Sequence, residues 1–500
     1  MKNKLLLKLL FGTAVIISLH YVVKPAPRVL FKINMKGISH PDSLVIIGTL
    51  LPLSNDKPIL MEGPDAEGFY SISLSFPDSV LGKPLKYSYR YGNRKYDVGR
   101  SVTLEKDQPQ TIIDKWGYLD GMSAKVKPSP GIDVFQADTP EEAAELSRPF
   151  VGITTDGKPI KNLFPVKKTG VNIAPIKNAV NTFLNAITKE QREKCSFPIE
   201  SNEWRKWHNI DFYKRTGIGF EELTAKQKDL AFEILKASLS PKGVQKSTDV
   251  MKMEEQLAFL TNDYKRYGGN KYWLVFMGAP SDTEPWGWQL DGHHLVINYF
   301  LQGDQVVMTP TFMGSEPTYI ESGKNRGLRT FKAEEKKGIA FYKSLTQEQK
   351  DKATIWHSKD QNFNQSEAFR DNAIIATTGI PANQLSTDQK TALLDLIEEY
   401  VGNMKEGPAK VKMEEVRSHI DETNFTWVQG MDINSPFYYR IHSPVILIEF
   451  DHQAPVAIWD RSKPHPGPVK SHIHTVVRTP NGNDYGKDLL EEHLEKDHQH

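Results

Sequence analysis

The sequence predicts a multi-domain chain, an N-terminal β-sandwich followed by a large α+β domain. Three observations carry this. Between residues 28 and 118, short β-branched and aromatic runs alternate with turn residues, the texture of a sandwich. Residues 125–168 then hold Pro128, Pro130, Pro140, Pro149, Pro159 and Pro165 with little periodicity, as a linker or an arm wrapped over a neighbour does. From Asn172 onward, helical periodicity and hairpin-linked strands come in separate blocks, which favours α+β over a doubly wound sheet. The expected divisions are 1–27, 28–120, 121–170 and 171–500. A length of 500 residues, at roughly 150 per domain, accommodates them.

The first division reads as an export signal. Lys2, Lys4 and Lys8 precede the uncharged run Leu9–Val23, a basic region followed by an apolar one too short for an ordinary membrane span. The best cleavage site, Lys24-Pro25-Ala26, is poor, so the segment is expected either to be removed or to persist as an N-terminal membrane anchor. The protein is expected in the periplasm, at the cell surface or secreted. A single cysteine, Cys195, excludes an intrachain disulfide, a Cys-rich zinc module and a CxxC redox pair. Sixty-three basic residues against 62 acidic ones supply no field for nucleic acid, and no nucleic-acid partner is expected.

In the second division the strands are Val29–Met35, Leu44–Leu50, Gly68–Phe76 and Leu85–Arg90, separated by Asn55-Asp56, Gly63-Pro64-Asp65 and Pro77-Asp78. The order Ile47-Gly48, Leu53, Met61, Gly68-Phe69-Tyr70, Tyr87–Gly92 and Trp116-Gly117 resembles starch-binding-type carbohydrate modules. That resemblance implies a sandwich that stacks sugars on exposed rings. Leu53-Ser54-Asn55-Asp56 stands where those modules usually carry Gly-Asn-Trp.

In the last division, Ile176, Val180, Phe183, Leu184 and Ile187 fall at helical spacing, and Leu230–Leu239 and Glu254–Tyr264 continue the helices. Strands are expected at Tyr272–Met277, Trp286–Leu290, His294–Leu301 and Val306–Thr311. Helices at Lys332–Leu345 and Thr387–Val401 follow. Strands return at Phe425–Val428, Phe437–Ile441, Val445–Phe450 and Ile473–Arg478, before a helix over Gly486–His498. No internal repeat is read.

Nucleotide-binding, dinucleotide-binding, zincin and α/β-hydrolase signatures are absent, and histidine remains: eight of 15 lie within residues 442–500. Period two puts His472 and His474 on one face of their strand, a common way to supply two metal ligands. The same alternation places Glu449 on an otherwise apolar strand, where a carboxylate needs a partner or an ion. His493 follows Leu489 and Leu490 on the inward side of the last helix. Trp286–His294 brings Trp286, Trp288, His293 and His294 onto one strand and turn. Adjacent strand residues point opposite ways, so one of His293 and His294 is expected to reach a shared site.

Trp286–Leu295, Thr309–Gly314, Gly327-Leu328-Arg329, Tyr438–Ile441, Ile448–Asp451 and His472–Pro480, with Asn483–Gly486 and His493, resemble the bacterial and fungal family called domain of unknown function 3500. The resemblance covers about residues 170–500. It implies that these blocks form one domain and implies no settled activity.

The residues support two readings. The first is an exported metal-dependent enzyme, with hydrolysis placed ahead of oxidation. A divalent ion, zinc or else iron or copper, would sit on His472, His474 and one of His293 and His294, with His493 approaching the same place from the last helix as a further metal candidate. Glu449 would be a fourth ligand or general base. Arg440 and Arg478 would bind an anionic group, and Trp286 and Trp288 would wall the pocket of a small-molecule, peptide or glycan substrate. The second is a non-catalytic surface or periplasmic binding protein whose histidines form a structural polar network.

Overall fold

The computed structural model describes residues 28–115 and 140–497, less 36–43, 55–56, 66–67, 92–94, 97–99, 106–109, 430–433 and 461–464. The N-terminal apolar run, Trp116-Gly117 and the earlier prolines of the proline-rich stretch lie outside the described residues. The chain divides into two units, Met1–Leu119 and Asp120–His500, so the layout is multi-domain and mixes strand with helix.

In the first unit, strand β1 (Arg28–Asn34) lies between β3 (Phe69–Ser75), antiparallel to it, and β6 (Gln110–Lys115), parallel to it. A second sheet is built on β2 (Leu44–Gly48), β4 (Pro84–Tyr91) and β5 (Arg100–Thr103). Alternation turns Val29, Phe31 and Ile33 of one sheet and Leu44, Ile46, Leu85, Tyr87 and Tyr89 of the other into a common apolar cluster. Phe31 meets Tyr87 edge-on at 5.1 Å. The hydroxyls of Tyr87 and Tyr89 both donate to Asp114, which Arg100 also pairs at 3.1 Å. These rings therefore face inward.

The second unit is a helix layer on one face of a long sheet. The strands are β7 (Tyr272–Met277), β8 (Trp286–Gly292), β9 (Leu295–Gln302), β10 (Thr311–Ser315), β11 (Asn424–Gln429), β12 (Phe437–His442), β13 (Leu447–His452) and β14 (Ile473–Arg478). Their spatial order is β7-β8-β9-β10-β14-β13-β12-β11, with every neighbouring pair antiparallel. Two meanders thus meet at β14, which arrives last in the chain and fills the centre. The sequence reading places most of these elements within a few residues. Val306–Thr311 is the exception: Pro310 has no N–H for a ladder, and pairing stops after Val307 and resumes at Thr311.

The helices are α1 (Pro140–Ser147), α2 (Ala174–Ala186), α3 (Lys189–Cys195), α4 (Ala225–Ser238), α5 (Pro241–Thr261), α6 (Lys332–Ser344), α7 (Gln347–Ala353), α8 (Thr387–Val401), α9 (Glu406–Ser418) and α10 (Lys487–Asp497). Gly407 and Pro408 hide α9 in the sequence. In the structure Pro408 sits in the first turn, where no N–H is needed.

The structure overturns the reading that there is no repeat: the second unit is an internal duplication. Helix α3 is capped by Thr188 with Gln191, and α7 by Thr346 with Gln349. Helix α4 is capped by Thr224 with Gln227, and α8 by Ser386 with Gln389. Gln227 donates to Ala186 O and Gln191 in the first half, and Gln389 donates to Ser344 O and Gln349 in the second. Register agrees as well. Gln289 faces Asn298 across β8–β9 as Arg440 faces Glu449 across β12–β13. Trp288 stacks on Tyr299 at 5.3 Å, and Tyr439 on Phe450 at 5.1 Å. In the sequence the duplication survives only as short scattered matches, Thr188, Glu190 and Gln191 with Thr346, Glu348 and Gln349, and Thr216-Gly217-Ile218 with Thr378-Gly379-Ile380, too brief to stand out as a repeat.

The helices bury one face of the sheet, including Trp286, Trp288, Tyr299, Tyr439 and Phe450. The other face carries Gln289, Asp291, Asn298, Arg440, Glu449, Asp451, His474 and Arg478, all buried. Two equivalent connections cover it, 198–217 in the first half and 357–379 in the second. The later proline-rich residues form an arm along this unit: Val151 N–H donates to Asn372, Ile160 N–H to Asn481 and Thr169 N–H to Asp304. Among the described residues no helix is long and apolar enough to cross a membrane.

Candidate metal centre

His472 and His474 stand on the covered face of β14, each 7% exposed or less. Strand β10 runs beside them, with Gly314 opposite His474. The bend between β8 and β9 delivers His294 to the same place, and its carbonyl accepts from Gly314 N–H at 2.8 Å. The ring centroids of His294 lie 5.7 Å from His472 and 5.6 Å from His474, and those of His472 and His474 lie 4.7 Å apart. Gly314 is what lets them close. A Cβ there would come within 2.8 Å of His294 Cδ2 and 3.0 Å of His474 Cδ2.

Each imidazole is oriented through Nδ1. His294 Nδ1 is bonded to Glu254 on α5, His472 Nδ1 meets Ala454 O at 2.8 Å, and His474 Nδ1 meets Glu367 at 2.7 Å. A ring that donates from Nδ1 keeps its lone pair on Nε2. His294 Nε2 is buried without a hydrogen-bond partner, and His472 Nε2 lies 3.0 Å from His474 Nε2. One ligand atom from each of the three falls within 4.8 Å of the others. Nitrogens on one zinc ion, each about 2.0–2.1 Å from it, sit roughly 3.3 Å apart. The three residues fit a metal ion with small adjustments, and buried His and Glu groups here could hold one.

The carboxylates around the histidines are themselves held. Asn209 and Asn364 donate to Glu367 at 3.0 and 2.6 Å, from the two equivalent connections. Glu316 accepts from the N–H groups of Val456, Ala457 and Ile458 and stands 3.8 Å from His472 Nδ1. Burial works to raise the Glu316 carboxyl, but His472 and those N–H groups bring it below its ordinary value. Burial would likewise raise Glu254, and His293 and His294 together hold it well below the carboxylate range. His293 stacks on His294 at 3.8 Å, reaches Glu254 at 3.1 Å and packs against Tyr267. Burial works against its charge, but Glu254 more than offsets this and raises it; His294 is lowered, by burial and then by His293.

The sequence-predicted residues divide sharply. His294, His472 and His474 come together. His293 joins Glu254 beside them, because the pair lies in a bend, where the opposite-direction rule for strands does not hold. His493 is elsewhere, 3.5 Å from Glu284 across a partly exposed surface. Trp286 and Trp288 are not pocket walls; they belong to the helix-side core, on the face away from the imidazoles. Glu449, Arg440 and Arg478 take up a different task, clamping the connection 357–379. Glu449 accepts from the N–H groups of Gln365 and Ser366, from Ser366 Oγ and from Tyr438 OH. Arg440 holds Gln365, Ala376 O and Thr378, and Arg478 holds Ser366 O, Glu367 O, Asp371 and Asp484. All three position the segment that presents Glu367 to His474.

Sequence reasoning missed Glu254, Glu367, Glu316 and Gly314. Gly314 closes the Thr309–Gly314 block, so that motif was the available signal. Glu254 is an acid on the buried side of a helix, 2% exposed, and only the tertiary fold explains it.

Fold and site together define a class: an internally duplicated α+β domain whose two halves enclose a buried cluster of histidines and glutamates. The chain belongs to the family described as Protein of unknown function (DUF3500), whose model matches residues 169–487. The match begins just before α2 and ends as α10 begins, so it spans both halves and β14. No curated protein matches the chain.

Proposed function

We propose that this is an exported metal-dependent enzyme, hydrolytic in its first reading, that binds a divalent ion through His294, His472 and His474. The observation that carries the proposal is the tautomer arrangement. Three Nδ1 atoms are committed to Glu254, Ala454 O and Glu367, which leaves the Nε2 side of each ring to an ion, with one ligand atom of each ring within 4.8 Å of the others. Zinc, or else iron or copper, would polarise a substrate carbonyl or phosphoryl oxygen and acidify a water. Glu254, Glu367 and Gly314 set ring orientation. A small-molecule, peptide or glycan substrate would approach beside His293 and Glu367, whose side chains are 13% and 20% exposed. The first unit is proposed as an accessory β-sandwich of the carbohydrate-module type, and the N-terminal segment as the export signal or anchor.

The test is elemental analysis of the purified full chain beside His474→Ala. The expected result is one ion per chain in the parent and none in the variant, with unchanged circular dichroism. A second reading, a structural imidazole network, draws on the burial of all three rings and the 3.0 Å separation of two nitrogens, which one proton could bridge. A metal-free parent whose Tm ignores added zinc, iron and copper establishes that reading instead. Fractionation of the native host tests export, and recovery solely from the cytosol refutes it.

A further inference from the structure

We infer a second small-molecule site in the 140–497 unit, a surface groove at α6 and α7 that binds a hydroxylated phosphate monoester. Its volume is about 350 Å³, within the range of small-molecule sites. Tyr342 and Lys343 from the last turn of α6 line it, with Lys350 and Asp351 from α7 and Thr354 and His357 from the segment after it.

Donors dominate this wall. Lys343 and His357 are exposed, and Lys350 is half-buried with its ammonium 5.9 Å from the centre of the Tyr342 ring. Among the described residues neither lysine forms an ion pair with a carboxylate. The hydroxyls of Tyr342 and Thr354 share one hydrogen bond of 3.0 Å. Two hydroxyls bring two protons, so that bond leaves one to donate elsewhere. The single carboxylate of the wall, Asp351, accepts from Gln347 Nε2 at 2.8 Å and keeps lone pairs for a ligand hydroxyl. Two ammonium groups and a hydroxyl donor exceed what the two oxygens of a carboxylate need. They match a phosphate monoester, which brings close to two negative charges and three strong acceptor oxygens.

The duplication supplies the comparison. Helices α2 and α6 are each 13 residues long and α3 and α7 each seven, with Ile187-Thr188 between the first pair and Leu345-Thr346 between the second. Leu184, Asn185 and Arg192 therefore stand where Tyr342, Lys343 and Lys350 do. In the first half the guanidinium of Arg192 donates to Leu184 O, and Lys189 pairs with Glu193 at 3.7 Å. In the second half Gln347 replaces Lys189 and holds Asp351, while both lysines are left beside the groove without a counter-charge. Like charges gathered in this way repel one another, and a bound anion relieves the repulsion.

The test titrates the full chain with glycerol phosphate, and with glycerol and acetate as controls, by isothermal titration calorimetry. Saturable binding of glycerol phosphate is expected, at least tenfold tighter than either control. Lys343→Gln and Lys350→Gln should each weaken it tenfold or more with Tm unchanged. Lys189→Gln, which removes the same charge from the first half, and His474→Ala, which removes an imidazole of the metal centre, should bind as the parent does. The inference is overturned if glycerol phosphate shows no saturable binding, if a control binds as tightly, or if the folded groove variants bind as the parent does. It is equally overturned if Lys189→Gln weakens binding as much as they do, or if folded His474→Ala loses it, which puts the anion on the metal centre.

Discussion

Replacing Gly314 by alanine isolates the geometry on which the candidate metal centre depends. Its φ is not among the positive ones, so alanine meets no backbone penalty and the whole effect is steric. The added methyl would sit 2.8 Å from His294 Cδ2, 3.0 Å from His474 Cδ2 and 3.0 Å from Ile473 O. Carbon–carbon contacts are comfortable from about 3.5 Å, so the rings must retreat by roughly 0.5–0.7 Å. Functional constellations tolerate about 0.5 Å, and their Nδ1 bonds to Glu254 and Glu367 leave little freedom to re-aim. The expected outcome is a stability loss of about 1–3 kcal/mol from overpacking and a metal affinity lower by about 10–100-fold, as for other changes that disturb ligand orientation. Competition titration against a chromophoric chelator, with Tm recorded alongside, measures both. A Gly314→Ala protein that folds and binds metal with the parent's stoichiometry and affinity would refute the argument that the rings close over this glycine.

Three further outcomes follow from the same contacts. Glu367→Gln keeps the shape but weakens the hold on His474 Nδ1, so metal affinity should fall by about 10–100-fold with Tm nearly unchanged; unchanged affinity counts against an orienting role. Glu449→Ala strips acceptors from the Gln365 and Ser366 N–H groups and Tyr438 OH, each worth about 1–3 kcal/mol when left unpaired. Hydrogen exchange should rise over 363–367 before it rises in β7, and a uniform rise would contradict the clamp. His442 is buried and pushed down to about 3, by burial first and Arg440 second. An unfolded histidine titrates near 6.5, so between those values only the unfolded chain takes the proton and stability falls with falling pH. That loss is about 2 kcal/mol by pH 5, and His442→Leu should flatten the acid side of the stability profile; parallel profiles would disprove it.

The elements were legible because their signals are local. Period two marked β13 and β14, and the 3.6-residue spacing of Ile176, Val180 and Phe183 marked α2. His472 and His474 could be paired because one strand carries both. Partnership across the fold was not legible. The cost of burying Glu449 correctly called for partners, yet a carboxylate is satisfied by main-chain N–H groups as well as by imidazoles, and Gln365 and Ser366 supplied them. The two tryptophans showed the period of β8 but not which side the helices would cover. His493 sits on a helix with too few apolar residues to fix its rotation. Glu254 and Glu367 lie on a helix and an irregular connection far away in sequence, where nothing periodic announces them.

The central place of β14 bears on how the chain reaches this state during synthesis. Strands emerge from the ribosome in chain order, and the seven others of the eight-strand path precede the one that stands between β10 and β13. Until residues 473–478 are made, each meander ends in an unpaired inner edge, with backbone donors and acceptors exposed to any passing strand. The earlier half can shape its helices and hairpins, but two of the three converging imidazoles do not yet exist. Closure is therefore a late, long-range event of the slow kind. A ribosome that stalls ahead of His472 leaves behind not a weakened protein but two sticky half-sheets with nothing to join them.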